Sequence, residues 1–270
     1  MSTTTLAPRP APAPPRATSG RAPLRDVATM ARREARRSLR SVDGLITAFV
    51  LPVMIMLVFV VIFGGAIEQD GQYIDYVVPG ALIMCLGFGS ATTAVAVAQD
   101  MTSGTIDRFK TLPIFGPSAL WGHVVASVVR NLASAVVVLL VAVALGFRPG
   151  AGVGDWLGFV GLAVLAVLTF TWLSAALGLV LSVDASQSVN FIFLFVPYLS
   201  SGFVPVDTMP DWLHGFAEHQ PFTPIIESVR GLLSGTPDGG TVLVACAWLV
   251  GFLALSVAVG SVLYRRRTAR

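Results

Sequence analysis

Lysine is almost missing from this chain: of its 18 basic residues only Lys110 is a lysine. A phosphate-cradling loop of the Walker type needs a lysine that follows glycine, and Lys110 follows Phe109, so no nucleotide site of that style can be built here. Cysteine is equally sparse. Cys85 and Cys246 both fall inside long apolar stretches, which excludes a framework of bridges and leaves them as small apolar packing residues. The three histidines, His123, His214 and His219, give no metal-ligand spacing, because His214 and His219 lie five apart and splay around a helix that i, i+4 spacing would align. They read as polar residues at a wet interface, and no metal is expected. Nucleophile elbows, C-x-x-C pairs and acid pairs in helix interiors are absent from the sequence, so the chain reads as no enzyme and as binding no cofactor of its own. Charge is scarce as well: only 12% of the 270 residues are charged while 54% are hydrophobic, a balance that one water-soluble core could not hide.

What fills the chain instead is apolar length. Stretches at 45–67, 77–98, 119–147, 156–182, 188–205 and 241–263 match or approach the ~20 apolar residues that a helix needs to cross hydrocarbon. Backbone groups in lipid must be satisfied within the segment, and no alternating pattern supports a barrel, so the expected fold is an all-α membrane protein of six transmembrane helices. Residues 1–23 hold six prolines among Ala, Ser and Thr and read as a disordered tail. Residues 24–264 form one membrane domain and 265–270 a basic C-terminus. With no signal-peptide pattern, the first span is expected to serve as its own insertion signal.

Sidedness follows from arginine. Nine Arg precede residue 44, Arg108 and Lys110 follow the second span, and Arg265, Arg266, Arg267 and Arg270 close the chain. The opposite side collects Glu68, Asp70, Asp75, Asp155, Asp207, Asp211, Glu218, Glu227 and Asp238 against only Arg148 and Arg230. The positive-inside rule then places both termini and the 99–118 loop in the cytoplasm of a multi-pass plasma-membrane protein. No basic surface outside the bilayer is large enough for nucleic acid.

Several segments break the pattern of plain spans. Over 24–42, Leu24, Val27, Ala28, Ala31, Ala35, Leu39 and Val42 share one helical face and Arg25, Arg32, Arg33, Arg36 and Arg40 another, which reads as a helix lying in the membrane surface or as a cluster that only fixes topology. In the second loop, Thr105 can cap a short helix with Ile106, Phe109 and Leu112 on one face and Pro113 ending it, fit for a partner's groove or a simple tether. Residues 202–240 are too long and proline-rich for a turn and suggest a re-entrant lid, on which Glu227 and Arg230 can pair. Arg130 with Asn131 lies toward the cytoplasmic half of the third span, where Arg130 either snorkels to headgroups or lines an inner mouth. On the fifth span Asn190, Phe191, Phe193 and Phe195 offer apolar surface to lipid or to a greasy ligand. Gly154-x-x-x-Gly158 permits close helix approach.

The run Asp100-x-x-x-Gly104-Thr105-Ile106-Asp107-Arg108, followed by Leu112-Pro113, resembles the cytoplasmic signature of the type-2 ABC exporter permeases. Pro79-Gly80, Gly146-Phe147-Arg148-Pro149, Phe203-Val-Pro205, Met209-Pro210-x-Trp212, Pro221-Phe-Thr-Pro224 and Arg230 look like its drug-resistance branch, typified by daunorubicin exporters. The resemblance spans residues 24–264; Gln220, where Asn is common, and the proline-rich tail depart from it. It implies a half-transporter: two copies of this chain pair, two separate ABC ATPase subunits dock below, and ATP with Mg acts through them. On that resemblance 24–42 is the connecting helix and 105–112 the coupling helix, with Gly104, Thr105, Ile106, Asp107, Arg108 and Phe109 meeting the ATPase. Arg130, Asn131, Asn190, Phe191 and Phe195 are candidate pathway residues, and Pro221, Pro224, Glu227 and Arg230 belong to the lid. The cargo expected is an amphipathic drug-like or lipid-like molecule moved outward. A secondary transporter would need intramembrane acids and inverted repeats, neither of which is found; a non-transporting scaffold would carry no flux.

Overall fold

The computed structural model describes residues 22–40, 50–63, 73–104 and 118–268, and every regular element among these is helical. They are α1 (Ala22–Arg40), α2 (Leu51–Leu57, continued by a π-helical turn Val58–Phe63), α3 (Tyr73–Thr102), α4 (Ser118–Ala144), α5 (Val153–Gly178), α6 (Val183–Phe195), α7 (Asp211–His219), α8 (Phe222–Ser234) and α9 (Gly239–Thr268). Short 3₁₀ turns at Val196–Leu199 and Val206–Thr208 lie between α6 and α7.

Among the described residues, α3, α4, α5 and α9 are long and apolar enough to cross a membrane, and Leu51–Ile62 is a shorter apolar helix. The fifth apolar stretch departs from expectation. Its helix starts early because Ser182 caps it, its Oγ accepting from the Ala185 amide at 3.2 Å. It stops at Phe195, just ahead of Pro197, which has no amide hydrogen to continue the ladder. The stretch 188–205 is therefore the end of a 13-residue helix plus irregular backbone.

Helix α3 is the hub, with α2, α4, α5, α6 and α8 packed on it. At Gly80 the backbone of the Gly202 turn comes so close that a Cβ would stand 2.1 Å from the Gly202 carbonyl oxygen, so only glycine fits. Helix α9 lies outside, against α5 and α8. The core runs through Leu82, Leu86, Ala166, Phe170, Val189, Phe193, Ile226 and Leu249. Phe193 is buried there, edge-on to Phe170, which stacks on Phe222 at 5.5 Å. It is thereby withdrawn from the apolar surface that the sequence suggested, while Phe191 and Phe195 stay more than half exposed. In the Gly154-x-x-x-Gly158 pair only Gly158 meets a neighbour, Leu232 of α8.

Candidate functional site

The residues around the second loop fold into a buried charge cluster. Asp100 occupies the last turn of α3, where the helix dipole turns negative and a carboxylate is unfavourable unless cations answer it. Two arginines do, and a histidine bonds the carboxylate beside them. Arg37 donates from Nη1 to Asp100 Oδ1 (3.3 Å) and from Nη2 to Gln99 Oε1 (3.1 Å); Arg33 Nη1 lies 3.9 Å from Asp100 Oδ2; His123 Nε2, one turn into α4, lies 3.0 Å from the same oxygen. The other imidazole nitrogen, Nδ1, faces Glu34 Oε2 at 3.6 Å, and Arg33 closes the set by donating to Glu34 Oε1 at 2.7 Å. Asp100, Glu34 and His123 are all buried. Gly122 makes the junction possible, since a Cβ there would stand 2.5 Å from Met30 Cβ of α1.

His123 is expected at a wet interface, and Glu34 carries no expectation from the sequence. His123 is instead the bridge between two acids, and Glu34 shares with Met30 the side of α1 that packs on α4. The i, i+4 spacing of Met30 and Glu34, on the side of the helix away from Arg25, Arg32 and Arg36, is the available signal. Glu34, Asp100 and His123 place ligand atoms within 4.8 Å of one another, a donor set that could hold a metal ion. Arg33 and Arg37 already supply the opposing charge, and a dication would have to displace them, so the geometry is that of an ion-pair network.

Beyond Asp100, Ser103 N bonds to Gln99 O at 2.9 Å and Gly104 takes the left-handed conformation (φ +66°) that ends a helix. Thr105, Ile106, Asp107, Arg108 and Phe109, with the helix expected over 105–112, lie outside the described residues, as do residues 1–21.

A second cluster stands at the other end of α3. Tyr73 Oη donates to Phe203 O (3.0 Å) and Tyr76 Oη to Ser201 O (2.8 Å). Arg230 of α8 lies over the Tyr76 ring, 3.8 Å from its centroid, and its Nη2 donates to Ser201 O (2.8 Å) and Tyr76 O (3.1 Å). It also pairs with Glu227. The expected Glu227–Arg230 contact thus exists, and Arg230 also pins α8 to α3, a contact that no local pattern announces. Pro221 is the N-cap of α8 and Pro224 sits in its first turn, its carbonyl accepting from Ser228 Oγ at 2.6 Å. Gln220 donates from Nε2 to Thr223 Oγ1 (3.1 Å), so a longer amide serves at the position where Asn was expected.

Between the two ends, α3, α4 and α5 share a polar seam. Asn131 Nδ2 donates to Ser127 O (2.8 Å) and Ser127 Oγ (3.0 Å), Thr93 Oγ1 donates to Ser127 Oγ (3.3 Å), and Ser127 meets Thr171 Oγ1 (3.1 Å). Arg130 sits near mid-length of α4 and donates from Nη2 to Gly89 O and Thr92 Oγ1, both at 2.9 Å. Asn190 carries a buried Oδ1 without a partner. Arg130 and Asn131 are thus committed to α3 and to α4's own backbone, whereas Phe191 and Phe195 face outward from α6; the candidate pathway residues do not form one surface within a single chain.

Comparison with known proteins gives this geometry a family. The ABC-2 type transporter model matches residues 25–233. The chain is 30% identical over 220 residues to the daunorubicin resistance ABC transporter permease protein DrrB1 of Streptomyces coeruleorubidus, covering 78% of this chain and 76% of that one. It is 28% identical over 242 residues to the probable doxorubicin resistance ABC transporter permease protein DrrC of Mycobacterium tuberculosis, covering 85% and 84%. The chain belongs to the ABC-2 type transporter family, as a helical membrane subunit of an ABC transporter.

Proposed function

We propose that this chain is the permease half of an ATP-driven exporter, with six membrane crossings, both termini and the 99–118 loop in the cytoplasm, and a second copy of itself completing the passage. The observation that carries this reading is the Glu34–Asp100–His123 cluster. It ties α1 to the bases of α3 and α4, the two helices between which residues 105–117 run, so a push on that loop would reach three helices together. Two copies of a separate ABC ATPase are the source of that push: ATP and Mg act there, and the loop transmits the motion. A ligand shifts a conformational equilibrium only by its differential affinity for the two states, and ATP supplies that difference through the ATPase.

In this reading the basic face of α1 rests on anionic headgroups of the cytoplasmic leaflet, since Arg25, Arg32 and Arg36 are exposed. The segments α7 and α8 form the external lid, with Arg230, Glu227, Pro221 and Pro224 setting its attachment to α3. The named relatives make an amphipathic drug-like compound the favoured cargo, with a lipid-like one the alternative. Thr105, Asp107, Arg108 and Phe109 with Ile106 are the residues that meet the ATPase, the charged pair fixing register and the apolar pair giving burial. Asp107→Arg tests this. Efflux should fall at least tenfold while the protein still accumulates and melts as the wild type does; unchanged efflux together with unchanged ATPase co-purification would remove the assignment.

A further inference from the structure

Arg130 is a cation at the middle of a spanning helix with no carboxylate in contact, the acid whose field reaches it, Glu34, lying beyond ion-pair distance. It stands 12 positions from Ser118, about 18 Å along the axis. An Arg at the centre of a spanning helix is costly to insert, so such a residue is a functional candidate by default. Its guanidinium carries five N–H donors. Those on Nη2 serve two neutral acceptors, Gly89 O and Thr92 Oγ1. Among the described residues no carboxylate lies within ion-pair distance of it. Nε and Nη1 make no hydrogen bond among the described residues, and the side chain keeps part of its surface open.

The surroundings hold this cation in place. Gly89 brings α3 so close to α4 that a Cβ there would overlap the Asn131 side chain, 1.8 Å from its Oδ1. Arg130 and Asn131 therefore dock side by side on one glycine, and Thr92 Oγ1, itself donating to Gly89 O at 2.7 Å, leaves the guanidinium anchored by one nitrogen. If the residue served only to glue two helices, a neutral donor such as Gln would do so at lower insertion cost. Val129, the residue before it, is 63% exposed, so apolar surface borders the charge. A fixed cation with free donors beside an apolar surface matches an amphiphile that carries an acidic headgroup.

We propose that Arg130 is the headgroup contact of a membrane-depth site for acidic amphiphiles, a carboxylate or phosphate on an apolar body. The same charge repels cationic amphiphiles. As a cargo site this rests on the exporter reading; as a binding site it stands without it.

Oleate, oleyl alcohol and oleylamine differ only in headgroup and serve as probes, their binding to the purified chain in neutral detergent being read by equilibrium dialysis. Oleate should bind most tightly and oleylamine least. Arg130→Gln should weaken oleate by roughly tenfold to a hundredfold, the worth of a hydrogen bond to a charged group, and leave oleyl alcohol unchanged; Arg130→Lys should keep the order. Equal binding of all three probes, or oleate affinity unaltered by Arg130→Gln, overturns the proposal. Should the variants fail to fold, a photoreactive oleate on the wild type decides: label on residues 86–93 and 126–134 supports the site, and label elsewhere overturns it. In phosphatidylcholine vesicles with the co-purifying ATPase, ATP-driven movement of oleate identifies cargo, whereas oleate that stays bound and is displaced by phosphatidylglycerol identifies a lipid ligand; both sustain the anion site. Intact headgroup preference with no ATP-driven movement of any probe counts against the exporter reading alone.

Discussion

Helices α3 and α9 are each 30 residues long, yet they occupy opposite positions. The most apolar window of α3 has mean hydropathy 1.9 and is 83% buried, whereas that of α9 reaches 2.6 and is 17% buried. The less hydrophobic helix is the inner one. In water the order would be reversed. In lipid the surroundings are as apolar as the core, so burial is driven by close packing and by hydrogen bonds between helices, and the residues that provide these lower hydropathy. Helix α3 holds Gly80, Gly89, Ser90, Thr93 and Asp100 for that purpose. Helix α9 presents Leu243, Val250 and Leu255 outward.

The contrast can be broken most severely at Asp100. Removing one partner of a buried ion network costs about 3–5 kcal/mol, and Asp100→Ala should approach the lower end because Arg33 and Arg37 are partly exposed. Thermal melting of the detergent-solubilised protein should show the loss, and Ser256→Ala on α9 should show none. Next is glycine: Gly80→Val forces a side chain into the Gly202 backbone and should cost about 1–3 kcal/mol or more, while Gly251→Val meets nothing within 4 Å and should leave the melting curve in place. The smallest effect lies at the start of α9. The Asp238 carboxyl is held below its ordinary range by hydrogen bonds from the Thr241 hydroxyl and from the Thr241 and Gly240 amides. A lowered carboxyl pKa contributes support that is complete above the ordinary value of about 3.9 and fades as pH falls below it through the folded-state value. The protection factors of the Gly240 and Thr241 amides, each taken against the unstructured-chain rate at the same pH, should therefore hold at neutral pH and fall only in acid.

Hydropathy made four spans legible, with ends within about five residues, because apolar length is a local property. The fifth stretch misled for a local reason too: 188–205 scores as apolar, but Pro197 ends its helix and the scale does not weigh that. The two polar clusters were not legible in the same way. His123 meets an acid 23 positions before it and another 89 before it, and Arg230 reaches Tyr76 across 154 positions. Single-residue cues for those meetings were present in Glu34 among arginines, Asp100 at the end of an apolar run and Tyr73 with Tyr76 at the start of one, but nothing in the sequence paired them. Arg130 was visible as a costly residue, whereas the unused donors that give it meaning depend on which carbonyl of α3 lies opposite.

An ATP-driven exporter of this kind requires residues 105–112 on the cytoplasmic side, where a separate ATPase can grip them. With Cys85 and Cys246 replaced by Ala, a single cysteine at Thr111 can be probed with a membrane-impermeant maleimide on intact cells and on inside-out vesicles. Label should appear on the vesicles alone and fall when the ATPase is bound. Label on intact cells would contradict it.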